Sequence, residues 1–216
     1  MNLVRVILKI SLVLSILPLA SIGMEPLTPK KGKLEVICGS MFSGKSTELI
    51  RRLTIAQFSK KHIQAFKHSF DTRIDTTHIN SHDHATFPAL AVPNSAQFFA
   101  QLDPHAHVYG IDEIQFFDPD IIEILLDLVN KRGKHVIVAG LDLNFRAEPF
   151  PCIPFLLAYA NNITKLNARC FRCGKKAYVS QRLVDGNPAK KSDPLILVGA
   201  KEAYEARCRQ CYQEPK

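Results

Sequence analysis

The sequence predicts an α/β fold, in which a parallel β-sheet carries helices on both faces and is followed by a small cysteine-rich domain. Short apolar runs typical of buried strands alternate with amphipathic helical patterns, as expected for a covered parallel sheet. A glycine-rich segment joins the first of these strands to the first helix. From residue 170 onward the composition shifts to Cys, Arg, Lys and Tyr, which marks the second domain.

The first half of the chain contains two predicted strands and one helix. Residues 33–38 form a short β-rich run that ends at a glycine, and apolar residues at helical spacing predict a helix over residues 45–58. Residues 62–67 resemble a second strand. Residues 68–88 lack periodicity and are rich in polar residues, so they are predicted to form a long loop.

The next segment repeats the strand and helix pattern. Residues 95–102 are predicted to form a short helix, and residues 107–111 are predicted to form a strand. Asp118 is the predicted N-cap of an amphipathic helix, because a proline follows it at the first helical position. This helix is expected to stop at Gly133, before a buried strand over residues 135–139.

The N-terminal leader, residues 1–31, is expected to be a signal-like segment or an upstream extension. Basic residues precede an apolar run over residues 10–20, which is too short to span a bilayer comfortably. A secretion signal, an uncleaved anchor and a translated extension upstream of the true start are the alternatives. We favour the extension, with Met24 as a second possible start, and a cytoplasmic protein, because thiolates and ATP suit a reducing compartment.

Composition and length limit the class of protein. The 216 residues are 46% hydrophobic and 22% charged, which excludes disordered, collagen-like and coiled-coil classes. We expect a main domain over residues 32–167 and a small domain over residues 168–216, besides the leader. Lys and Arg number 28 against 20 Asp and Glu, and the net charge of +8 suits an anionic partner. Either nucleic acid or a phosphate-bearing small molecule fits that charge.

A phosphate-binding loop (P-loop) is the strongest motif. It lies between a predicted strand and a predicted helix, and it consists of Gly39, Ser40, Met41, Phe42, Ser43, Gly44, Lys45 and Ser46. Its backbone N–H groups and the helix N-terminus attract phosphate, which indicates bound ATP. Lys45 is expected to reach the β- and γ-phosphates, and the Ser46 hydroxyl to ligate Mg²⁺.

Two carboxylates end the strand predicted over residues 107–111. Asp112 is expected to hold Mg²⁺, and Glu113 can take a proton from an attacking oxygen. A capped strand end with surface acids would look the same. An ATPase also uses such a pair, with the glutamate orienting water, so these residues alone do not indicate a kinase.

Four cysteines at matching spacing predict a structural zinc ribbon. The two pairs are Cys170 with Cys173 and Cys208 with Cys211. A closed four-thiolate site leaves no open position for substrate, so its expected role is structural. Free thiols or disulfides are the alternative. The other two cysteines, Cys38 and Cys152, are expected to be buried and not to bind metal.

Three weaker features lie in loops and at strand ends. Three histidines in the polar loop could bind metal but are expected to be solvated: His78, His82 and His84. Four phenylalanines follow two strand ends, where ligands of open α/β sheets bind: Phe116, Phe117, Phe145 and Phe150. Some of these rings are expected in the core, and at least one could line a pocket for a flat ring.

Together these motifs resemble thymidine kinase of the bacterial and cytosolic type. The resemblance is carried by residues 39–49, by Asp71, Thr72 and Arg73, by residues 110–117 and by both cysteine pairs. It extends from about Gly32 to Tyr212 and implies a homotetramer with a P-loop NTPase-like core. The implied reaction transfers the γ-phosphate of ATP to the 5′-hydroxyl of thymidine, in the salvage of deoxynucleotides for DNA synthesis.

The resemblance also implies residue roles. Glu113 is the general base, and Asp112 and Ser46 serve Mg²⁺. The ATP site adds to the P-loop the residues Asp71, Thr72, Arg73, Asp112, Glu113, Ile114 and Gln115. The thymidine site comprises Met41, Phe116, Leu141, Phe145, Phe150, Ser180, Pro194, Leu195, Ile196, Leu197, Val198 and Tyr204.

Three departures and one alternative accompany this interpretation. Ser180 stands where the family often has threonine, Leu143 and Asn144 replace a more usual pair, and one residue is added between Gly199 and Tyr204. The alternative is a P-loop ATPase whose zinc ribbon grips nucleic acid. No basic and aromatic stacking surface supports it, so the expected partners are thymidine and ATP, without direct nucleic acid or membrane contact.

Overall fold

The computed structural model describes residues 31–70, 77–195 and 204–216. In chain order its strands are β1 (Lys33–Gly39), β2 (Ile63–His68), β3 (His78–Asn80), β4 (Thr86–Pro88), β5 (Leu90–Val92), β6 (Val108–Asp112), β7 (His135–Gly140), β8 (Asn162–Leu166), β9 (Val179–Val184), β10 (Asn187–Pro188) and β11 (Tyr204–Arg207). Its α-helices are α1 (Lys45–Phe58), α2 (Ser95–Ala100), α3 (Ile121–Asn130) and α4 (Ile153–Tyr159).

The main sheet has six parallel strands in the order β5-β2-β6-β7-β1-β8. Successive residues of β7 alternate between two apolar clusters, because adjacent side chains of a strand point to opposite faces. Leu49 and Leu53 of α1 cover one face, whereas helices α2, α3 and α4 contribute to the cluster on the other. The α/β fold with helices on both faces is therefore confirmed.

The predicted loop over residues 68–88 contains an antiparallel hairpin, so that prediction was wrong in part. Strands β3 and β4 pair, and each has only three residues. Each buries one apolar side chain, Ile79 or Phe87, in the cluster beneath α1. Strands this short show no periodicity in the sequence, and burial against the sheet stabilises them instead. Asp71, Thr72 and Arg73 lie outside the described residues.

The predicted cap of α3 was also wrong. Asp120, not Asp118, is the N-cap of this helix. The carboxylate of Asp118 instead accepts hydrogen bonds from the backbone N–H and the hydroxyl of Ser95, the first residue of α2. The side chain of Asp118, which the local pattern assigned to a cap, is therefore used in a contact with α2.

A second, antiparallel sheet follows the main one, with the order β10-β9-β11. Four successive residues of β9, residues 179–182, are buried, so this strand forms the centre of the small sheet. The division of the chain at residues 167 and 168 stays a prediction. Among the described helices, none is long and apolar enough to cross a membrane.

Candidate active site

The candidate active site lies at one edge of the main sheet. Strands β6, β7 and β1 are adjacent and parallel, so their carboxyl ends meet at the same edge. The P-loop follows β1, the two carboxylates stand at the end of β6, and Leu141 follows β7. Ligands of open α/β sheets bind at such an edge.

The P-loop has the backbone that phosphate binding requires. Helix α1 begins at Lys45, directly after Gly44, whose left-handed conformation has φ 83°. At Gly39 a Cβ atom would lie 2.3 Å from the carbonyl oxygen of Leu166, so only glycine fits this close approach. The loop therefore wraps tightly and presents backbone N–H groups beside a helix N-terminus, where a phosphate binds favourably.

Side chains of the P-loop are arranged around the same cradle. Lys45 folds back and donates a hydrogen bond from Nζ to the carbonyl oxygen of Ser40, at 2.8 Å. The buried hydroxyl of Ser43 has no hydrogen-bond partner among the residues that the structure describes. An unsatisfied buried hydroxyl is costly, and a phosphate oxygen would satisfy it. The residues present thus fit a nucleoside triphosphate.

The carboxylate pair is held in a strained and hydrogen-bonded arrangement. Asp112, 2% exposed, accepts a hydrogen bond from the backbone N–H of Glu113 at 2.9 Å. Glu113 has a φ of 54°, in the left-handed region that non-glycine residues rarely adopt. Gln115 donates to the Glu113 carboxylate and accepts from the backbone N–H of Leu141 at 3.0 Å. The end of β7 therefore orients Glu113 through Gln115.

The donor set at this edge suits Mg²⁺. A hydroxyl at the start of α1, from Ser46, and a buried carboxylate at the end of β6, from Asp112, are both hard oxygen ligands. Sequence reasoning missed a second acid here: the buried Asp142 follows β7 and forms an ion pair with Lys165 of β8 at 2.7 Å. Its position after a buried strand was the available signal.

Aromatic rings adjoin the carboxylates. The half-buried ring of Phe116 lies at 6.4 Å from Phe150 and at 5.8 Å from His68, measured between centroids. The ring of Phe117 packs against Phe98 in the core. The prediction that some of these rings belong to the core is confirmed. That at least one of them lines a pocket stays a prediction. His68, at the end of β2, was missed by sequence reasoning.

The small sheet reaches the P-loop. Ser180 of β9 is 2% exposed, and its hydroxyl accepts a hydrogen bond from the backbone N–H of Met41 at 2.9 Å. Leu195 packs against the core cluster that contains Phe150. Tyr204 stands opposite a β9 residue in the β9–β11 pair. Ile196, Leu197 and Val198 lie outside the described residues.

The four C-terminal cysteines converge on one point. The Sγ atoms of Cys170, Cys173, Cys208 and Cys211 all lie within 4.8 Å of one another. Tetrahedral Zn²⁺ with Zn–S bonds of about 2.3 Å places sulfurs about 3.8 Å apart, so the donor set fits zinc. Hydrogen bonds to the neighbouring sulfurs of Cys173 and Cys208 raise the pKa of Cys211 to about 12. A bound divalent cation would instead favour the thiolate form of all four cysteines.

The remaining cysteines and the loop histidines stand apart from this cluster. Cys38 and Cys152 are buried, as predicted, and burial raises the pKa of each thiol to about 11. The ring of His82 packs against Phe42 of the P-loop, with 5.6 Å between centroids. His84 occupies the turn of the hairpin, with a φ of 66°.

A comparison with protein families agrees with this geometry. The family model described as thymidine kinase matches residues 32–212, which is most of the chain. The match contains the P-loop, the carboxylate pair and all four clustered cysteines. It confirms the resemblance that these motifs carry, and it does not include the N-terminal leader. The chain belongs to the thymidine kinase family.

Proposed function

We propose that the protein is an ATP:thymidine 5′-phosphotransferase, which transfers the γ-phosphate of ATP to the 5′-hydroxyl of thymidine. The single observation that carries this proposal is the P-loop next to a Glu113 carboxylate held in a strained conformation, within a chain of the thymidine kinase family. Phosphoryl transfer needs positioning and charge stabilisation more than covalent chemistry by the protein. The groups at this edge of the sheet are suited to both.

Glu113 acts as the general base in this proposal. Its carboxylate takes the proton of the 5′-hydroxyl as that oxygen attacks the γ-phosphorus, and the bond to the β-phosphate oxygen breaks. Gln115 donates a hydrogen bond to one Glu113 oxygen and so restrains the orientation of the carboxylate. A fixed base shortens the search for the reactive geometry.

The P-loop holds the phosphates. Its N–H groups and Lys45 stabilise the charge on the β- and γ-phosphates, with Asp71, Thr72 and Arg73 proposed as further contacts. Asp112 and Ser46 would hold Mg²⁺, which neutralises phosphate charge when bound. Phe116, Phe145 and Phe150 are proposed to line the site of the flat thymine ring, together with Met41 of the P-loop and Leu141, which follows β7.

Three finer properties complete the proposal. Zinc at the four cysteines serves as a structural ion that ties the small sheet together. The protein is proposed to be cytoplasmic, because ATP and reduced thiolates coexist there. It is further proposed to be a homotetramer, a property implied by the family resemblance.

Replacing the base tests the central assignment. We expect Glu113→Gln to lower kcat by about 10²- to 10⁴-fold, because the amide cannot accept the proton. ATP binding, measured by calorimetry, should survive because the P-loop is intact. Glu123→Gln is the matched control, since Glu123 is an exposed carboxylate on α3. Unchanged turnover in Glu113→Gln would contradict the assignment.

The choice of acceptor tests the reaction itself. ATP consumption would be followed with Mg²⁺ and thymidine, deoxyuridine, deoxycytidine, deoxyadenosine, single-stranded DNA or no acceptor. We expect turnover only with thymidine and close analogues, and a 5′-monophosphate as product. Hydrolysis that ignores nucleosides and rises with DNA would instead indicate the nucleic-acid-dependent ATPase.

A further inference from the structure

Two arginines flank the ring of Phe145, which is itself 2% exposed. The guanidinium carbon of Arg182 lies 5.1 Å from the ring centroid, and that of Arg146 lies 5.2 Å from it. Cations at this distance over an aromatic face are attracted by its negative potential. The ring orientation is therefore restrained by two charged groups from different parts of the chain.

Arg182 is the more deeply placed of the two. It belongs to β9, is 4% exposed, and donates a hydrogen bond to the backbone carbonyl of Pro194. A side-chain hydrogen bond also joins it to Tyr204, the residue opposite it in β11. One guanidinium thus contacts Phe145, Pro194 and Tyr204, which come from three separate segments.

Arg146 reinforces the same arrangement through a second contact with the ring. Its guanidinium donates to the backbone carbonyl of Asp193 at 3.0 Å, one residue before the carbonyl that Arg182 contacts. Two adjacent carbonyls are therefore each held by a charged donor, and charge-assisted hydrogen bonds are stronger than neutral ones. The polypeptide at Asp193 and Pro194 is fixed relative to Phe145.

Burial of Arg182 is costly, because among the described residues it forms no salt bridge and its Nε has no hydrogen-bond partner. A buried guanidinium without a salt bridge lowers the free energy of unfolding. Its presence therefore points to a role that an apolar side chain could not fill. Only a planar, multi-donor cation can contact an aromatic face, a carbonyl and a hydroxyl at the same time.

We propose that Arg182 is a positioning residue for thymidine. It holds Phe145, Pro194 and Tyr204 in one mutual arrangement. The family resemblance assigns each of these three residues to the thymidine site, and this inference rests on the proposed function. Phe145, Pro194 and Tyr204 belong neither to the P-loop nor to the carboxylate pair. Removal of Arg182 should therefore weaken thymidine recognition selectively and spare ATP.

The test compares kinetic constants of Arg182→Met and Arg182→Lys with those of the wild-type chain. We expect Arg182→Met to raise KM for thymidine by about tenfold or more, with KM for ATP nearly unchanged. Arg182→Lys should restore only part of the loss, because lysine keeps the charge but not the planar donors. If Arg182→Met fails to fold, the KM values of Arg182→Lys provide the test.

Arg207→Met is the matched control, because Arg207 is an equally buried arginine of the same small sheet, bonded to Glu205 and to the carbonyl of Cys211. It should lower stability without a selective effect on thymidine. An unchanged KM for thymidine in Arg182→Met, or a parallel rise in both KM values, would overturn the inference.

Thymidine binding, measured by calorimetry without ATP, separates this inference from the proposed function. Absence of thymidine turnover by the wild-type protein would count against the kinase reaction alone if thymidine still bound and Arg182→Met bound it more weakly. If the wild-type protein bound no thymidine, both proposals would fail. Equal binding by wild type and Arg182→Met, with turnover intact, would refute only the role of Arg182.

Discussion

At the scale of single residues, neighbouring rings and backbone groups hold buried polar side chains of the site in one protonation state. His68 ends β2 and is buried against the rings of Phe70, Phe116 and Phe117. Its Nδ1 accepts a hydrogen bond from the backbone N–H of Phe70, which requires the unprotonated atom. Burial lowers the pKa of His68, so its neutral ring packs against these three phenylalanine rings.

We therefore expect the protein to lose stability in mild acid. The folded-state pKa of His68 lies below the ordinary value of about 6.5, despite partial compensation by Glu113 and Asp118. Its contribution is then fully present above about pH 6.5 and is lost as the pH falls through the lower folded-state pKa. Burial also lowers the pKa of His135, so this residue likewise contributes stability that is lost in mild acid.

Urea unfolding across this pH range measures the effect. His68→Phe keeps an aromatic ring but cannot titrate, so its free energy of unfolding should depend less steeply on pH than that of the wild type. His105→Gln, at an exposed position, is the control and should follow the wild type. Parallel pH profiles for His68→Phe and the wild type would contradict this account.

At the scale of secondary-structure elements, close packing between β7 and the 3₁₀ turn Ile114–Phe116 positions Glu113, the proposed base. A Cβ atom on Gly140, the last residue of β7, would lie 2.4 Å from Oε1 of Gln115. That oxygen accepts the hydrogen bond from Leu141, and the amide nitrogen of the same side chain holds Glu113. The absence of a side chain at Gly140 is what allows this chain of contacts.

Gly140→Ala should consequently impair catalysis more than folding. The new methyl group displaces Gln115, and we expect kcat to fall by about tenfold or more, with a stability loss of about 1–3 kcal/mol from overpacking. Steady-state kinetics and urea unfolding measure the two effects.

Gly110→Ala is a control matched in both size and setting. Its Cβ would lie 2.6 Å from a methyl group of Leu53 on α1, so it overpacks the neighbouring strand without touching Gln115. It should lose stability with a smaller effect on kcat. Equal losses of kcat in the two variants would show that general strain, not displacement of Gln115, is responsible.

At the scale of the whole molecule, the small β10-β9-β11 sheet and the adjoining cysteine cluster contact the P-loop directly. Ser180 accepts the backbone N–H of Met41, and the ring of Phe42 lies 5.6 Å from that of Phe171, which is adjacent to Cys170. Phe42 also packs against the small apolar cluster around the cysteines. Zinc binding and nucleotide binding should therefore be coupled.

Removing zinc should weaken ATP binding as well as thermal stability. Dialysis against a zinc chelator, or Cys173→Ser, should lower Tm by on the order of 10 °C, because metal-binding free energy adds to folding free energy. ATP affinity should fall, because the P-loop loses its support from β9. Calorimetry in excess Mg²⁺ controls for loss of magnesium, and added zinc should restore the chelated protein. Full ATP affinity in zinc-free protein would contradict the coupling.

Local patterns were sufficient for the elements that carry their own signals. Helix α1 begins and ends where the spacing predicts, because a P-loop glycine precedes it and a continuous apolar stripe defines its length. The β3–β4 hairpin and the cap of α3 were predicted incorrectly. In both cases a distant partner decides the structure: the sheet buries Ile79 and Phe87, and Ser95 of α2 binds Asp118.

The sequence by itself determined the P-loop, the Asp112 and Glu113 pair and each of the two cysteine pairs, because each is defined by residues a few positions apart. Only the tertiary structure decided which groups hold them in place. Gln115 bonds to the end of β7, Ser180 to the P-loop, and Arg182 to Phe145, Pro194 and Tyr204. These contacts join residues distant in the chain, and no local spacing encodes them, because they exist only once the sheet and its neighbours have packed.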